Sequence, residues 1–288
     1  MSRPVVDVVV PFAGSDAALA DLLARMRALE LRDGDTLTIV DNRADARDQA
    51  PDVVAAPAQQ SSYFARNRGA ERGHAPWILF LDADVDPPAD LVDRYFDEAP
   101  GDDAGVLAGG VRDAPLPDNP TRAELYAVQA EQMSQANTLR AGAWAYAQTA
   151  NAAVRRDAFQ QVGGFTEGIR SGGDADLCFR LRVAGWGLAY RPVAEVVHHN
   201  RATTRAFLRQ KARHGAGAAW LDERYPGSFP ARDRRFWTRR LLREVKMAAP
   251  ELVRGNRERA SEILFPTVVV WAFELGRFLS NRAPGAQR

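Results

Sequence analysis

Trp77-Ile78-Leu79-Phe80-Leu81-Asp82-Ala83-Asp84 is the stretch that decides the fold. Its five consecutive apolar residues read as a buried strand. Two carboxylates follow at once, two residues apart, and Pro87-Pro88 ends the run before a helix from about Ala89. In an open α/β sheet, ligands bind outside the carboxyl ends of the strands. Acids at that place suit a hard divalent cation, Mg²⁺ or Mn²⁺, that keeps open positions for phosphate oxygens. Asp86 is a further acid of the same turn. Read alone, Asp-x-Asp is also what a solvated turn contains.

Working outward, strand and helix signals alternate through the first half, which predicts a mostly parallel sheet with helices on its faces. Val5 to Val10 and Leu37 to Val40 read as strands. Between them a helix capped by Ser15 or Asp16 carries Leu19, Leu22, Leu23, Met26 and Leu29 at helical spacing. Ser61 or Ser62 caps the next helix, toward Gly73. Further on, strands are expected at 106–111 and 152–154, and a helix from about Thr121 to Leu139. A short helix ends at Gly163-Gly164, and another spans Asp174 to Ala184 before Gly185. Two short strands, 188–190 and 193–197, lead to His198-His199, and a basic helix begins near Thr203 or Thr204. After about Pro226 arginine becomes dense and only helical signals remain. The expected division is therefore 1–226 for the α/β domain and 227–288 for a helical extension, with a loose tail after Pro284.

The chain has 288 residues and a formal net charge of +1. That balance gives no basic field for nucleic acid and no acidic excess for disorder. A single cysteine, Cys178, allows no intrachain disulfide and fits a reducing cytosol. It reads as a small buried apolar residue. The N-terminal apolar stretch is interrupted by Asp7 and is too short for a secretory signal. The longest apolar run, Ile263 to Leu279, is broken by Pro266, Glu274 and Arg277. It reads as a helix packed on the body of the protein. A helix lying in a membrane interface, beside the basic cluster Arg239, Arg240, Arg243 and Lys246, is the alternative.

Ser171-Gly172-Gly173-Asp174-Ala175-Asp176-Leu177 brings two acids to the start of a helix from a glycine loop. Capping and the helix dipole account for one of them. The other is a candidate catalytic carboxylate.

Several motifs now stand in order: Val40-Asp41-Asn42, Ala65-Arg66-Asn67-Arg68-Gly69, Leu81-Asp82-Ala83-Asp84, Asn151-Ala152-Ala153-Val154-Arg155, Val162-Gly163-Gly164-Phe165 and Gly173-Asp174-Ala175-Asp176-Leu177. Together, over roughly residues 4 to 225, they resemble the family 2 glycosyltransferases of GT-A fold. The resemblance implies a Rossmann-type, mostly parallel mixed sheet flanked by helices. It also implies an inverting transfer from a nucleotide diphosphate sugar, with UDP preferred by family habit, and a divalent metal. Asp41 matches the acid that contacts the nucleotide base or ribose. Arg66 and Asn67 match residues lining the nucleotide pocket, and Pro11 closes the first strand beside it. Asp82 and Asp84 match the Asp-x-Asp pair, with Asp84 the direct metal ligand. Asp174 matches the general base, and Asp176 orients the loop or the acceptor. Some members add a late histidine as a third metal ligand, and His198 stands at that place. Gln210-Lys211-Ala212-Arg213-His214 echoes the Gln-x-x-Arg-Trp motif of processive synthases, with His for Trp. Arg213 is its pyrophosphate candidate, a solvated basic helix face being the other reading.

The sequence departs from the family in three places. No asparagine follows the first strand in Pro11-Phe12-Ala13-Gly14. Asp41-Asn42-Arg43 lacks the second acid and glycine. Gly173 stands where a glutamate often precedes the base. A sugar nucleotidyltransferase and a non-catalytic nucleotide-sugar binder are the competing readings. The expected acceptor is a glycan, a lipid-linked sugar or a small molecule. The expected location is the cytoplasm, with peripheral contact to its membrane through the C-terminal helices. Trp144 and Tyr146 within Ala141 to Gln148, and Trp186, are expected either as a wall for a sugar ring or as core.

Overall fold

The structure is a computed structural model and describes residues 3–48 and 50–286. Its strands are β1 Val6–Phe12, β2 Thr36–Asp41, β3 Val53–Ala55, β4 Trp77–Leu81, β5 Val85–Asp86, β6 Ala104–Asp113, β7 Asn151–Arg155 and β8 Gly187–His198. Its helices are α1 Asp16–Met26, α2 Ser62–Ala70, α3 Leu91–Tyr95, α4 Arg122–Gln129, α5 Gln135–Leu139, α6 Arg156–Gln161, α7 Gly173–Val183, α8 Thr204–Arg224, α9 Arg234–Val253 and α10 Arg257–Gly276. By contacts the chain forms two compact units. One comprises 1–114, 133–199 and 282–288, and the other 115–132 and 200–281.

The first unit is built on one sheet in the order β3-β2-β1-β4-β7-β6-β8-β5. β1 runs parallel to β2 and β4, and β6 parallel to β8, while β7 lies antiparallel between β4 and β6. The carboxyl ends of β1, β2, β4, β6 and β8 therefore share one edge of the sheet. That edge carries Phe12, Asp41, Asp82, Asp113 and His198. The expected strand at 77–81 is there residue for residue, and all five of its side chains are buried.

Two corrections concern the elements. The helix expected over 121–139 is broken into α4 and α5. Glu131 adopts a positive φ of 44°, and Ser134 starts α5 by accepting from Asn137 N at 3.3 Å. The strands expected at 188–190 and 193–197 are one strand, β8. Residues 192–195 bulge from it opposite the single residue Gly110, where a Cβ would sit 2.8 Å from Pro192 O. The segment just before the expected loose tail is pinned. Ala283 N donates to Gly168 O at 2.8 Å, Gln60 N to Pro284 O at 3.0 Å, and Arg282 bridges Ile169.

Packing follows the apolar pattern. Leu19, Leu22 and Met26 of α1, with Ser15 as cap, bury against Val8, Val10, Leu79 and Leu81 on one face. On the sheet's other face Phe80, Phe159 and Phe165 pack with ring centroids 5.2–5.6 Å apart. One buried charge holds the far edge. Asp7, 2% exposed, accepts from Thr36 Oγ1 at 2.6 Å, Ala75 N at 2.8 Å and Arg156 Nη2 at 2.5 Å. Removing one partner of such a pair strands the other charge. Asp7→Ala is expected to cost about 3–5 kcal/mol of stability, read as a lower denaturant midpoint at unchanged slope. A shift of a few tenths would mean that water already serves Arg156.

The second unit is helical. Ala123, Ala127, Phe207, Phe265 and Val269 form its core, and a capping box of Thr121 and Glu124 starts α4. No described helix is long and apolar enough to cross a membrane.

Candidate active site

The site builds up at the carboxyl edge of the sheet. Asp82 follows β4 and is a third exposed. Arg66, buried on α2, is paired with it through Nη2 to Oδ1. The Arg66 guanidinium lies 5.7 Å from both the Tyr63 and Phe165 rings, and its buried Nε has no hydrogen-bond partner.

Asp174 joins this group. The turn at Gly172, with φ 89°, starts α7 and places Asp174 in its first turn. Gly173 precedes it because a Cβ there would lie 2.7 Å from the Tyr63 ring, which leaves no room for the usual glutamate. Thr149 Oγ1, just before β7, donates to Asp174 Oδ1 at 2.7 Å. Burial raises the Asp174 pKa above the ordinary carboxylate value. Arg66 and the Thr149 hydrogen bond pull against that rise, and the Asp82 charge adds to it. Asp82, Arg66 and Asp174, far apart in sequence, thus act on one another through space. Tyr146 belongs to the same neighbourhood. Burial first, then the Asp174 charge, hold its phenol above its usual value. Trp144 packs edge-on against Phe179, centroids 5.1 Å apart. Trp186 stands at the sheet's opposite edge, against Gly105 at the start of β6, with Nε1 donating to Gln161 Oε1 at 2.8 Å.

The Asp-x-Asp turn and the late histidine are joined by backbone. Val85 pairs with His198 across β5 and β8, and His199 N donates to Asp84 O at 2.9 Å. His198 Nε2 consequently stands 3.7 Å from Asp84 Oδ1, and Nδ1 stands 4.0 Å from Asp113 Oδ1. His198 is 6% exposed, and its Nδ1 has no hydrogen-bond partner. Among the described residues, no three acid, histidine or cysteine side chains already converge on one point. A carboxylate and an imidazole nearly 4 Å apart fit a cation that takes its other ligands from phosphate and water. His199 faces elsewhere. Its Nε2 meets Asp86 Oδ2 at 2.5 Å, and Arg25 Nη1 donates to Asp86 Oδ1 at 2.7 Å. Burial would raise the Asp86 pKa, but these two partners hold it below the ordinary value.

The other predicted residues have these places. Pro11 lies on β1 beside Val40 of β2. Asp41 is fully buried and gripped by Arg43, whose Nε lies 2.9 Å from Oδ1 and Nη2 2.6 Å from Oδ2. Arg43 also reaches Asp16 at 2.6 Å and lies 5.8 Å from the Phe12 ring centroid. The Asn67 amide is taken by the loop after Gly164. It donates to Phe165 O and Glu167 Oε1 at 2.9 Å and accepts from Phe165 N at 2.9 Å. Asp176 is fully buried and braces that loop, accepting from Thr166 Oγ1 at 2.7 Å and Arg180 Nη2 at 2.8 Å. Cys178 is buried, and burial pushes its thiol up to about 12. Arg213 lies on α8 in the second unit and is exposed. Its neighbour His214, in the place of the motif's Trp, is held neutral by burial at a pKa of about 3.

Sequence reasoning missed Thr149 and Asp113. Thr149 lies in a loop with no pattern. Asp113 ends a strand as Asp82 ends β4, and that was its only signal.

Comparison with known proteins agrees with this fold. Residues 4–217 match the family described as glycosyltransferase like family 2. The pre-mycofactocin glycosyltransferase of Mycobacterium tuberculosis (strain CDC 1551 / Oshkosh) is 29% identical over 232 residues, which is 77% of this chain and 48% of that one. The chain thus spans about half the length of that relative. The N-acetylglucosaminyl-diphospho-decaprenol L-rhamnosyltransferase of the same strain is 38% identical over 112 residues, 37% of this chain and 36% of that one. Among solved structures, the mannosyltransferase PcManGT from Pyrobaculum calidifontis, in complex with GDP-Man and Mn²⁺, superposes with a TM-score of 0.58 at 16% identity over 94% of this chain and 87% of that one. GalNAc-T7 with UDP, GalNAc and Mn²⁺ gives 0.51 at 13% identity over 73% of this chain and 47% of that one. The sheet is the GT-A fold that the sequence motifs implied, and the chain belongs to glycosyltransferase family 2.

Proposed function

We propose that this glycosyltransferase moves a sugar from a nucleotide diphosphate to an acceptor hydroxyl in a single inverting displacement, with Asp174 as general base. The observation that carries the reading is the convergence of Asp82, Arg66 and Asp174 at the carboxyl edge of the sheet. Asp41, with Arg43 above Phe12, takes the nucleoside end beside Pro11, and Arg66 flanks the phosphates. Asn67 shapes the pocket through the 165–167 loop. Asp84, with Asp82 beside it and His198 across from it, would hold a divalent cation. The Mn²⁺ complexes of two fold neighbours support that ion, and the mixed oxygen and imidazole donors suit Mn²⁺ over Mg²⁺. When bound, the cation neutralises charge on the departing diphosphate. UDP is the nucleotide first to be tried.

Asp174 Oδ2 takes the proton of the acceptor hydroxyl as its oxygen attacks the anomeric carbon and the bond to the diphosphate breaks. Thr149 fixes the other carboxylate oxygen, and Asp176 holds the loop. Tyr146 and Trp144 border the acceptor side and exclude water that would hydrolyse the donor. The acceptor is a glycan, a lipid-linked sugar or a small molecule. The division into a transferase domain, 1–226, and a helical extension, 227–288, and a cytoplasmic place of work belong to the same proposal.

The decisive measurement is nucleotide diphosphate release from a panel of nucleotide sugars with Mn²⁺, alongside calorimetric donor binding. Release that needs the metal and depends on an acceptor is expected. Binding without release would leave a non-catalytic binder, and metal-independent release would remove Asp84 and His198 from their roles. The base also fixes a pH dependence. Asp174 works only when ionised, so kcat falls as pH drops through its raised pKa. Thr149→Val removes a hydrogen bond that favours the charged form, so the acid limb is expected to move to higher pH. An unmoved limb would assign it to another group.

A further inference from the structure

We infer that the α9–α10 hairpin docks the protein onto an anionic bilayer surface, lying on it through one apolar face with a basic edge. The two helices run antiparallel. The Trp237 and Trp271 rings lie 6.2 Å apart, Arg240 Nε donates to Thr267 Oγ1 at 3.4 Å, and Ala248 and Ala260 are buried. At about 100° per residue, Leu241, Val245 and Leu252 lie a quarter turn past this seam on α9. Leu264, Val268 and Leu275 lie a quarter turn past it on α10. In an antiparallel pair of right-handed helices, these two flanks fall on the same side. The side of α10 turned away from α9 is covered by α8, where Gly215 meets the backbone at Phe273 and Gly276 that at Ala212. The shared flank is open. Val245 is 48% exposed and Leu275 58%, and the apolar row continues past α10 into Phe278, 88% exposed, and Leu279.

Charge selects the occupant. Arg235 and Lys246 are exposed and stand about a quarter turn from Val245, on the outer margin of the apolar flank of α9, and the exposed Arg239 and Arg243 lie further round on the side away from α10. The helices' acids are engaged by arginines: Glu244 with Arg240, Glu251 with Arg254, Glu258 and Glu262 with Arg122, and Glu274 with Arg277. An apolar strip with a basic margin matches acyl chains beneath anionic headgroups. A second copy on the same face would bring the two basic margins together. Neither helix is apolar enough to span the bilayer, so the hairpin lies in the interface plane.

The test is flotation of the full chain with vesicles of phosphatidylcholine alone or with added phosphatidylglycerol, and Trp fluorescence quenching by brominated lipid. Binding to the anionic vesicles that weakens with salt is expected. Val245→Glu with Leu275→Glu is expected to lower partitioning about tenfold or more, and Arg235→Ala with Lys246→Ala about fivefold per charge removed. These side chains are exposed, so an unchanged melting temperature establishes that the variants fold. Nucleotide diphosphate release by the same variants reports the transferase reading separately. A chain left in the supernatant with anionic vesicles at low salt would overturn the inference. So would variants that float like the parent, or a stable dimer in sedimentation that the Glu variants split.

Discussion

Replacing Asp174 by asparagine is expected to cut turnover by about 10²- to 10⁴-fold while donor affinity stays within about twofold. Asparagine keeps the shape and can still accept from Thr149 Oγ1, but it cannot take the acceptor's proton. The same substitution has a second readout of opposite sign. Burial raises the folded-state pKa of Asp174 above its unfolded value. Its protonated form is therefore favoured by the fold, and that contribution is lost as pH rises through the folded pKa. Above the unfolded pKa the site therefore costs stability, so at neutral pH Asp174→Asn is expected to melt higher than the parent. A loss of activity together with a lower melting temperature would point to structural damage. Near-normal turnover would remove Asp174 from the base role.

The second large effect is expected at Asp84. Asp84→Ala removes the carboxylate 3.7 Å from His198 Nε2 and leaves only Asp113 on the Nδ1 side. Turnover is expected to fall about 10²-fold or more, with weaker Mn²⁺ binding measured by electron paramagnetic resonance. His198→Gln is expected to weaken Mn²⁺ and spare Mg²⁺, because imidazole suits the softer ion. Equal loss for both metals would place His198 outside the coordination sphere. Mn²⁺ binding untouched in Asp84→Ala would move the metal to other ligands.

The fold was legible where a short stretch carries its own reason. The apolar run 77–81 could only be a buried strand, and β4 begins and ends where the composition changes. The break between α4 and α5 was invisible because neither glycine nor proline marks it. Glu131 takes the positive φ, and the buried Gln135 starts the new helix by donating to Gln148 O at 2.8 Å and Asn151 O at 3.0 Å. Those partners are distant in sequence. The continuity of β8 was hidden by Pro192, which reads as a strand end. In the fold it is tolerated because the bulge faces Gly110. In the site, the acids announced themselves by following strands or opening a helix. Thr149 did not, since only folding brings it to α7. Asn151 was legible as a motif member but not as a hub. It is fully buried, accepts from Tyr95 Oη at 2.7 Å and donates to Gly110 O and Ala194 O at 2.9 and 2.7 Å. The Arg43 grip on Asp41 was signalled only by the absence of the usual second acid.

The pinned segment at 282–284 has a practical corollary for dissection. Gly168 O accepts from Ala283 N and Gly168 N donates to Gln59 Oε1, while Ile169 O accepts from Ser61 Oγ at the head of α2. That knot sits a few residues upstream of Asp174. A stop codon placed after α8 would untie it from one side, and the loop leading into α7 would loosen without any change to its own sequence. Trimming from within, by joining the ends of α8 and residue 282 through a designed connector, would spare it.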